Sequence, residues 1–171
     1  AIISGYRKAC EVKMDVIATM DGDGQMAPEI LDKIVDPVVE GRTDYSKGDR
    51  LSTSAHRRGM PKFRYCGNLL LTYLTRVASG YWSMTDPQCG YTAISRQMLL
   101  RLDLNRIHKG WPFLNDMLIM LHVLGARVVG IPHQAKYEKE RSKINYAHFI
   151  VTTSWLLIKD YLWRIWTEYI K

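Results

Sequence analysis

The sequence contains few cysteines and no long uncharged stretch. Cys10, Cys66 and Cys89 lie far apart and form no C-x-x-C pair, which excludes a disulfide-stapled fold and the common zinc and dithiol motifs. This cysteine usage favours a reducing compartment. The longest stretch without Lys, Arg, Asp or Glu, 144–158, has 15 residues. About 18–20 residues are needed to cross a bilayer, so the sequence predicts no membrane-spanning helix.

Several functional motifs are also absent. The sequence has no P-loop, no G-x-S-x-G and no H-E-x-x-H, and its five histidines are scattered. It shows no zinc finger, recognition-helix pattern or aromatic-basic RNA motif, so nucleic acid is not an expected partner. The 171 residues are 47% hydrophobic and 24% charged, which suits one globular domain.

Positive charge is concentrated in two segments. The net charge is +7, and the segments 47–64 and 136–143 account for all of it, with +5 and +2. Both segments are predicted to be loops or loop edges, which favours a site for anionic ligands. The alternative is a solvated basic face without a ligand.

Hydrophobic periodicity predicts alternating helices and strands, which is typical of an α/β layered domain. The predicted helices span 1–12, 28–40, 62–79, 96–102, 113–124 and 148–171. The predicted strands span 14–20, 43–47, 91–95 and 126–132.

The last predicted helix, 148–171, is amphipathic. Its polar residues form one stripe, and aromatic and aliphatic residues cover the rest of its surface. The stripe consists of Asp160, Arg164, Glu168 and Lys171. Three of the five tryptophans lie in this helix, which favours a position at a membrane interface. The alternative is a helix packed on the domain, with its aromatic residues filling grooves.

The segment DGDGQ follows a predicted buried strand. Asp21 and Asp23, with the amide of Gln25, offer oxygen ligands of the kind that Mg²⁺ or Mn²⁺ prefers. Open α/β sheets bind ligands where strands end, which favours a metal here. An EF-hand is excluded, because Met26 and Asp32 stand where that loop needs Gly and Glu. An Asx-type turn without a metal remains an alternative.

Five segments appear in an order that resembles family 2 glycosyltransferases of the GT-A fold, and especially their polyprenyl- and dolichyl-phosphate sugar transferase branch. The segments are DVIATMDGDGQMAPEIL, YSKGDRL, MTDPQCGYTAISRQML, FLNDMLIML and KYEKERSKIN. The resemblance extends over nearly the whole chain. The resemblance implies a partial GT-A domain over 1–147, followed by the amphipathic helix 148–171.

The resemblance also implies roles for individual residues. Asp21, Asp23 and Gln25 match the metal-binding D-x-D segment, and Arg50 matches an arginine near the sugar or phosphates. Arg141, Ser142 and Lys143 match a segment that contacts phosphate. Asp86 and Gln88 match a loop on the acceptor side, and Arg57 and Arg58 are expected near the acceptor or the headgroups.

Asp116 falls where many relatives carry an acid that serves as general base. A lipid phosphate acceptor is already ionised, so Asp116 is then expected only to orient groups. The alternative is a capping or surface carboxylate.

The family's first strands, which hold the nucleotide base and ribose, have no counterpart before Ala1, so we expect the chain to be a fragment. The missing Q-x-x-R-W argues against a polymerising synthase. The resemblance implies a metal-dependent, inverting transfer of a sugar from a nucleotide diphosphate donor to a lipid-linked phosphate. The expected location is peripheral, at the cytoplasmic membrane face. The alternative is a truncated, non-catalytic module that binds anionic ligands or a membrane surface.

Overall fold

A computed structural model of the protein describes residues 1–53, 62–134 and 146–170, without the side chains of 62–64 and 146–148. It contains six α-helices and four strands within these ranges. The helices are α1 (Ile2–Glu11), α2 (Leu31–Val39), α3 (Lys62–Ser79), α4 (Arg96–Arg101), α5 (Phe113–Val123) and α6 (Tyr146–Tyr169). The strands are β1 (Val16–Thr19), β2 (Tyr45–Asp49), β3 (Thr92–Ser95) and β4 (Val128–Pro132).

Every predicted helix and strand is present, with ends shifted by up to three residues. The largest shift is in α2, which begins at Leu31 instead of the predicted residue 28, because Pro28–Ile30 form a short 3-10 helix. Strand β1 was predicted to be buried, but it is the partly exposed last strand of the sheet order. Strand β2 begins at Tyr45 instead of the predicted residue 43. Thr43 and Asp44 form the connection into the strand. Thr43 Oγ1 donates a hydrogen bond to the carbonyl oxygen of Tyr45, and Asp44 forms a two-point ion pair with Arg127.

The four strands form one mixed sheet in the order β1-β3-β2-β4. Strand β3 is antiparallel to both β1 and β2, whereas β2 and β4 are parallel. The carboxyl ends of β1, β2 and β4 therefore meet the amino end of β3 at one edge of the sheet. This confirms the mixed α/β class and is compatible with a partial GT-A-like domain.

Helix α5 links the sheet to the two long helices. Eight of its eleven residues are buried, and six of those eight are apolar, which is typical of a helix in a core. Met117 and Leu118 pack in the same core cluster as Tyr45 and Ile94 of the sheet. Ile119 packs instead with Ala78 of α3 and Leu157 of α6. Helix α2 packs on the opposite face of the sheet, where Ile34 and Val38 contact Ala93, so α5 lies between the sheet and the pair of α3 and α6.

Helix α6 is present, but the described part of its polar stripe, Asp160, Arg164 and Glu168, faces the protein. Lys171 lies outside the described residues. Thr153, Asp160 and Arg164 are buried, and an Arg164 Nη donates a hydrogen bond to the carbonyl oxygen of Val77 in α3. Six large apolar residues on the opposite face are more than half exposed or nearly so. They are Val151, Trp155, Ile158, Leu162, Trp166 and Tyr169. The helix therefore presents apolar side chains to solvent.

The alternative, in which the aromatic residues fill grooves, holds for only part of α6. Tyr161 and Trp163 are partly buried against the α3–α5–α6 cluster, and the Arg106 guanidinium lies 3.1 Å from the Trp163 ring centre. No helix in the described ranges combines the length and hydropathy of a membrane-spanning segment.

The orientation of α6 can be tested with two substitutions. Leu157→Ala should lower the free energy of unfolding by about 2–5 kcal/mol, because the side chain is 2% exposed in a packed cluster. Trp155→Ala, at a side chain that is 71% exposed, should change it by less than about 0.5 kcal/mol. Urea denaturation followed by circular dichroism measures both. Equal losses, or a larger loss for Trp155→Ala, would contradict this orientation.

Candidate active site

Three of the segments that carry predicted site residues meet at the sheet edge described above. Asp21 follows β1, Arg50 follows β2, and residues 86–90 precede β3. Since β3 is antiparallel to β1 and β2, all three segments lie at the same end of the strands. The sequence motifs far apart in the chain are thus neighbours in space.

Asp21 lies against the main chain of Gly90. A Cβ atom on Gly90 would lie 2.6 Å from Asp21 Oδ2, which is shorter than real side-chain contacts, so a larger residue at position 90 would displace the Asp21 carboxylate. Partial burial raises the pKa of Asp21, and the nearby Asp23 carboxylate raises it further. Arg50 and Lys47 act in the opposite direction. Two carboxylates therefore lie close together, with two cations near them.

Asp23 also forms the turn that was the alternative to a metal site. Its Oδ1 accepts a hydrogen bond from the backbone N–H of Gln25 at 3.0 Å, and Gly24 follows with φ 75°. The turn does not cap the next helical segment, whose first residue is preceded by Ala27 without a side-chain cap. Asp23 can therefore hold the loop and still offer its second oxygen.

The donor set suits one kind of metal site. Within the described residues, no group of three or more His, Cys, Asp or Glu could hold a metal ion. Asp21 and Asp23 supply two carboxylates, which fits Mg²⁺ bound by one or two carboxylates, with waters and substrate phosphates as the other ligands. A metal caged entirely by protein does not fit. The ligand set of Asp21, Asp23 and Gln25 remains a prediction.

Arg50 is held by Asp86. Its Nε and Nη2 donate to the two carboxylate oxygens at 2.6 and 3.0 Å, and its backbone N–H donates to Oδ2 at 3.1 Å. Burial by itself would raise the pKa of Asp86, but the Arg50 charge and hydrogen bonds outweigh it and hold the pKa below the ordinary value. Asp86 therefore fixes the direction of Arg50.

Asp49 shapes the turn that carries Arg50, and it was not predicted. Its Oδ1 accepts from the backbone N–H groups of Leu51 and Ser52, and Thr85 Oγ1 donates to its Oδ2. The available signal was the presence of three polar or charged residues in the predicted strand segment YSKGD. The structure shows that all five of these residues are buried.

Gln88 connects the site to two helices. Its Nε2 donates to Asn115 Oδ1 of α5 at 3.2 Å, and Asn115 Nδ2 donates to Thr75 Oγ1 of α3 at 2.6 Å. Thr75 Oγ1 donates in turn to the carbonyl oxygen of Leu71. Asn115 was missed because the resemblance pointed to the acid beside it.

Asp116 follows Asn115 on α5 but interacts with a different element. Its carboxylate lies near Lys159 and Asp160 of α6. It is buried, and its Oδ2 accepts from the backbone N–H of His108 at 2.6 Å. Burial raises the pKa of Asp116, and burial followed by the Asp116 charge raises the pKa of Asp160 to about 6. This bond goes to a loop and is not a helix cap, and the side chain is not at the surface, so the alternative of a capping or surface carboxylate is wrong. A catalytic role for Asp116 remains a prediction.

The remaining predicted site residues lie outside the described residues. They are Arg57, Arg58, Arg141, Ser142 and Lys143.

From the two-point ion pair of Asp86 with Arg50, we expect Asp86 to contribute strongly to the stability of the fold. Asp86→Asn should lower the free energy of unfolding by about 2–3 kcal/mol, less than for a fully buried pair because Arg50 is partly accessible. Because its folded pKa is depressed, Asp86 stabilises the protein above its ordinary pKa of 3.8, and this contribution is lost as pH falls through the folded value. The difference in the free energy of unfolding between Asp86→Asn and wild type should therefore become smaller in acid.

Asp44→Asn is the matched control, because Asp44 forms the same two-point geometry with Arg127 at an exposed position. Its effect should be much smaller than that of Asp86→Asn. Chemical denaturation between pH 2.5 and 7 measures both variants. Equal effects, or a gap that does not change with pH, would contradict the role given to the Asp86 pair.

Comparison with known proteins identifies relatives but no matching family model. The chain is 35% identical over 99 residues to the UDP-N-acetylglucosamine–dolichyl-phosphate N-acetylglucosaminyltransferase of Methanococcus voltae, covering 58% of this chain and 39% of that protein. It is 32% identical to the undecaprenyl-phosphate mannosyltransferase of Micrococcus luteus, covering 77% of this chain and 54% of that protein. The polyprenol monophosphomannose synthase of Mycolicibacterium smegmatis is 29% identical, with 77% and 49% covered.

The chain spans about half the length of these relatives, or less. Two of them are named as sugar transferases for dolichyl phosphate and undecaprenyl phosphate, and the third is named as a synthase of polyprenol monophosphomannose. These matches confirm the resemblance predicted from the sequence: the chain is a relative of the polyprenyl- and dolichyl-phosphate sugar transferases.

Proposed function

We propose that the protein containing this chain is a family 2 glycosyltransferase that moves a sugar from a nucleotide-diphospho-sugar donor to a lipid-linked phosphate. The observation that carries the proposal is the meeting of Asp21, Asp23 and Arg50 at one sheet edge, in a chain related to such transferases. The three relatives, two named as transferases and one as a synthase, do not favour the alternative of a non-catalytic module.

In this proposal the transfer inverts the anomeric carbon. An oxygen of the acceptor phosphate forms the new bond to that carbon, while its bond to the β-phosphate oxygen breaks and the nucleoside diphosphate leaves. Asp21 and Asp23, with Gln25, would hold Mg²⁺ or Mn²⁺, which supplies positive charge to the diphosphate when bound. Arg50, fixed by Asp86, adds a preorganised cation for the charge that develops on the leaving group.

No proton must leave the acceptor, because a phosphate monoester is already ionised at neutral pH. The position of Asp116, which accepts from His108 and faces Asp160, supports an orienting role over that of a general base. In the same proposal, Arg141, Ser142 and Lys143 contact the acceptor phosphate, and Arg57 and Arg58 lie near the headgroups.

The metal assignment is tested by Asp23→Ala in the full-length protein. Transfer of radiolabelled sugar to polyprenyl phosphate should fall by roughly 100-fold or more, because the charge on the diphosphate loses its counter-ion. Asp32→Ala, an exposed carboxylate in α2, is the control and should leave transfer unchanged. Undiminished transfer by Asp23→Ala would refute the metal role.

The exposed face of α6 supports a second element of the proposal, peripheral docking on the cytoplasmic membrane face. Its apolar residues recur every three or four positions from Val151 to Tyr169, and they include Trp155 and Trp166. Indole and phenol rings favour the headgroup region, where one end is apolar and the other wet. Helix α3, which packs against α6, also exposes Leu69, Leu70 and Tyr73.

Docking is tested by co-sedimentation with vesicles that contain phosphatidylglycerol. Trp155→Glu combined with Leu162→Glu should reduce the bound fraction several-fold, because charges would enter the apolar boundary. Trp111→Glu, at an equally exposed tryptophan outside α6, is the control for loss of an indole and gain of a charge. A bound fraction that the double variant leaves unchanged would exclude docking through this face.

A further inference from the structure

Lys47 is a completely buried cation at the candidate active site. It lies on β2, an interior strand of the sheet, and none of its surface is exposed. Burying an ammonium group is unfavourable unless it is well hydrogen-bonded. Its Nζ donates to the carbonyl oxygen of Pro87 at 2.8 Å and to that of Cys89 at 2.7 Å. Burial lowers the pKa of Lys47 to about 8, so the group is mostly charged at neutral pH.

Successive residues of the loop 86–90, which accepts these hydrogen bonds, make contacts in two different directions. The carbonyl groups of Pro87 and Cys89 turn to Lys47. The residues on either side of them make the contacts of the site. Asp86 holds Arg50, Gln88 donates to Asn115, and Gly90 lies against the Asp21 carboxylate. Lys47 thus fixes one side of a loop whose other side forms the site.

The neighbouring residue on the strand, Ser46, has a comparable bond outside the site. Its side chain is fully buried, and its Oγ donates to the carbonyl oxygen of Ile34 in α2. Successive strand residues point to opposite faces of a sheet, so Ser46 and Lys47 contact different layers. Ser46 therefore provides a matched control for the loss of a buried side-chain bond.

We propose that Lys47 is a positioning residue, whose ammonium group holds residues 87–89 so that Gly90 stays against Asp21 and Asp86 stays against Arg50. Lys47 touches no substrate in this scheme. The inference rests on the proposed function, because it takes Asp21 to be a metal ligand.

Lys47→Met tests the inference in the full-length protein with two measurements that need no sugar transfer. Mn²⁺ binding, followed by the electron paramagnetic resonance signal of the free ion in the presence of UDP and separately of GDP, should weaken by roughly 10–100-fold. Backbone hydrogen exchange over residues 86–91 should become at least about tenfold faster, since local opening governs exchange. Ser46→Ala should leave both quantities within about twofold of wild type.

Lys47→Gln covers the case in which the methionine variant does not fold, because its amide keeps N–H donors without the charge. Lys47→Gln should also weaken Mn²⁺ binding and speed hydrogen exchange over residues 86–91, but by smaller factors. Unchanged Mn²⁺ binding in a folded Lys47 variant would overturn the inference, whether or not exchange rises. So would equal losses in Ser46→Ala.

Failure of the proposed function gives a different result. A wild-type protein that binds Mn²⁺ but transfers no sugar would contradict the proposed function, while the comparison of variants would still decide the role of Lys47. A wild-type protein that binds no Mn²⁺ would overturn both.

Discussion

Compensated charge at the end of β2 is the constraint on which the candidate site depends. Lys47, Asp49 and Asp86 are buried there, and Arg50 is nearly so. Two cations and two carboxylates balance, and their hydrogen bonds replace those that water would make. The bonds of Arg50 to Asp86 and of Lys47 to Pro87 and Cys89 also join segments distant in sequence, because residues 47–50 belong to the end of β2 whereas residues 86–89 precede β3. The charges that stabilise one another therefore also set the shape of the site.

This arrangement explains why Asp21 can lie where it does. Its carboxylate stands beside Asp23 and against the main chain of Gly90, which raises its pKa. Lys47 and Arg50 oppose that rise. In the proposed function, a divalent ion between Asp21 and Asp23 would compensate both the carboxylates and the diphosphate of the donor. The similarity to transferases that act on lipid phosphates agrees with such chemistry.

Helix α6 shows a different balance, since its polar residues face inward. Arg164 donates to Val77 and pairs with Glu168, which also lies 3.4 Å from His122. These contacts tie α6 to α3 and α5 and leave Trp155, Leu162 and Trp166 outside. A helix held by polar contacts on one side can present an apolar face to another environment, which is the basis of the proposed docking.

The sequence by itself determined the helices and strands, because their periodicity, Pro28 at a helix start and Gly125 after α5 act over only a few residues. It also determined the family, through five ordered segments. The tertiary structure alone decided which groups meet: that Asp86 pairs with Arg50, that Asn115 contacts Gln88 while Asp116 faces α6, and that Lys47 reaches the 86–90 loop. It also decided which face of α6 turns outward. These depend on strand order and on partners tens of residues away, and no local pattern carries that information.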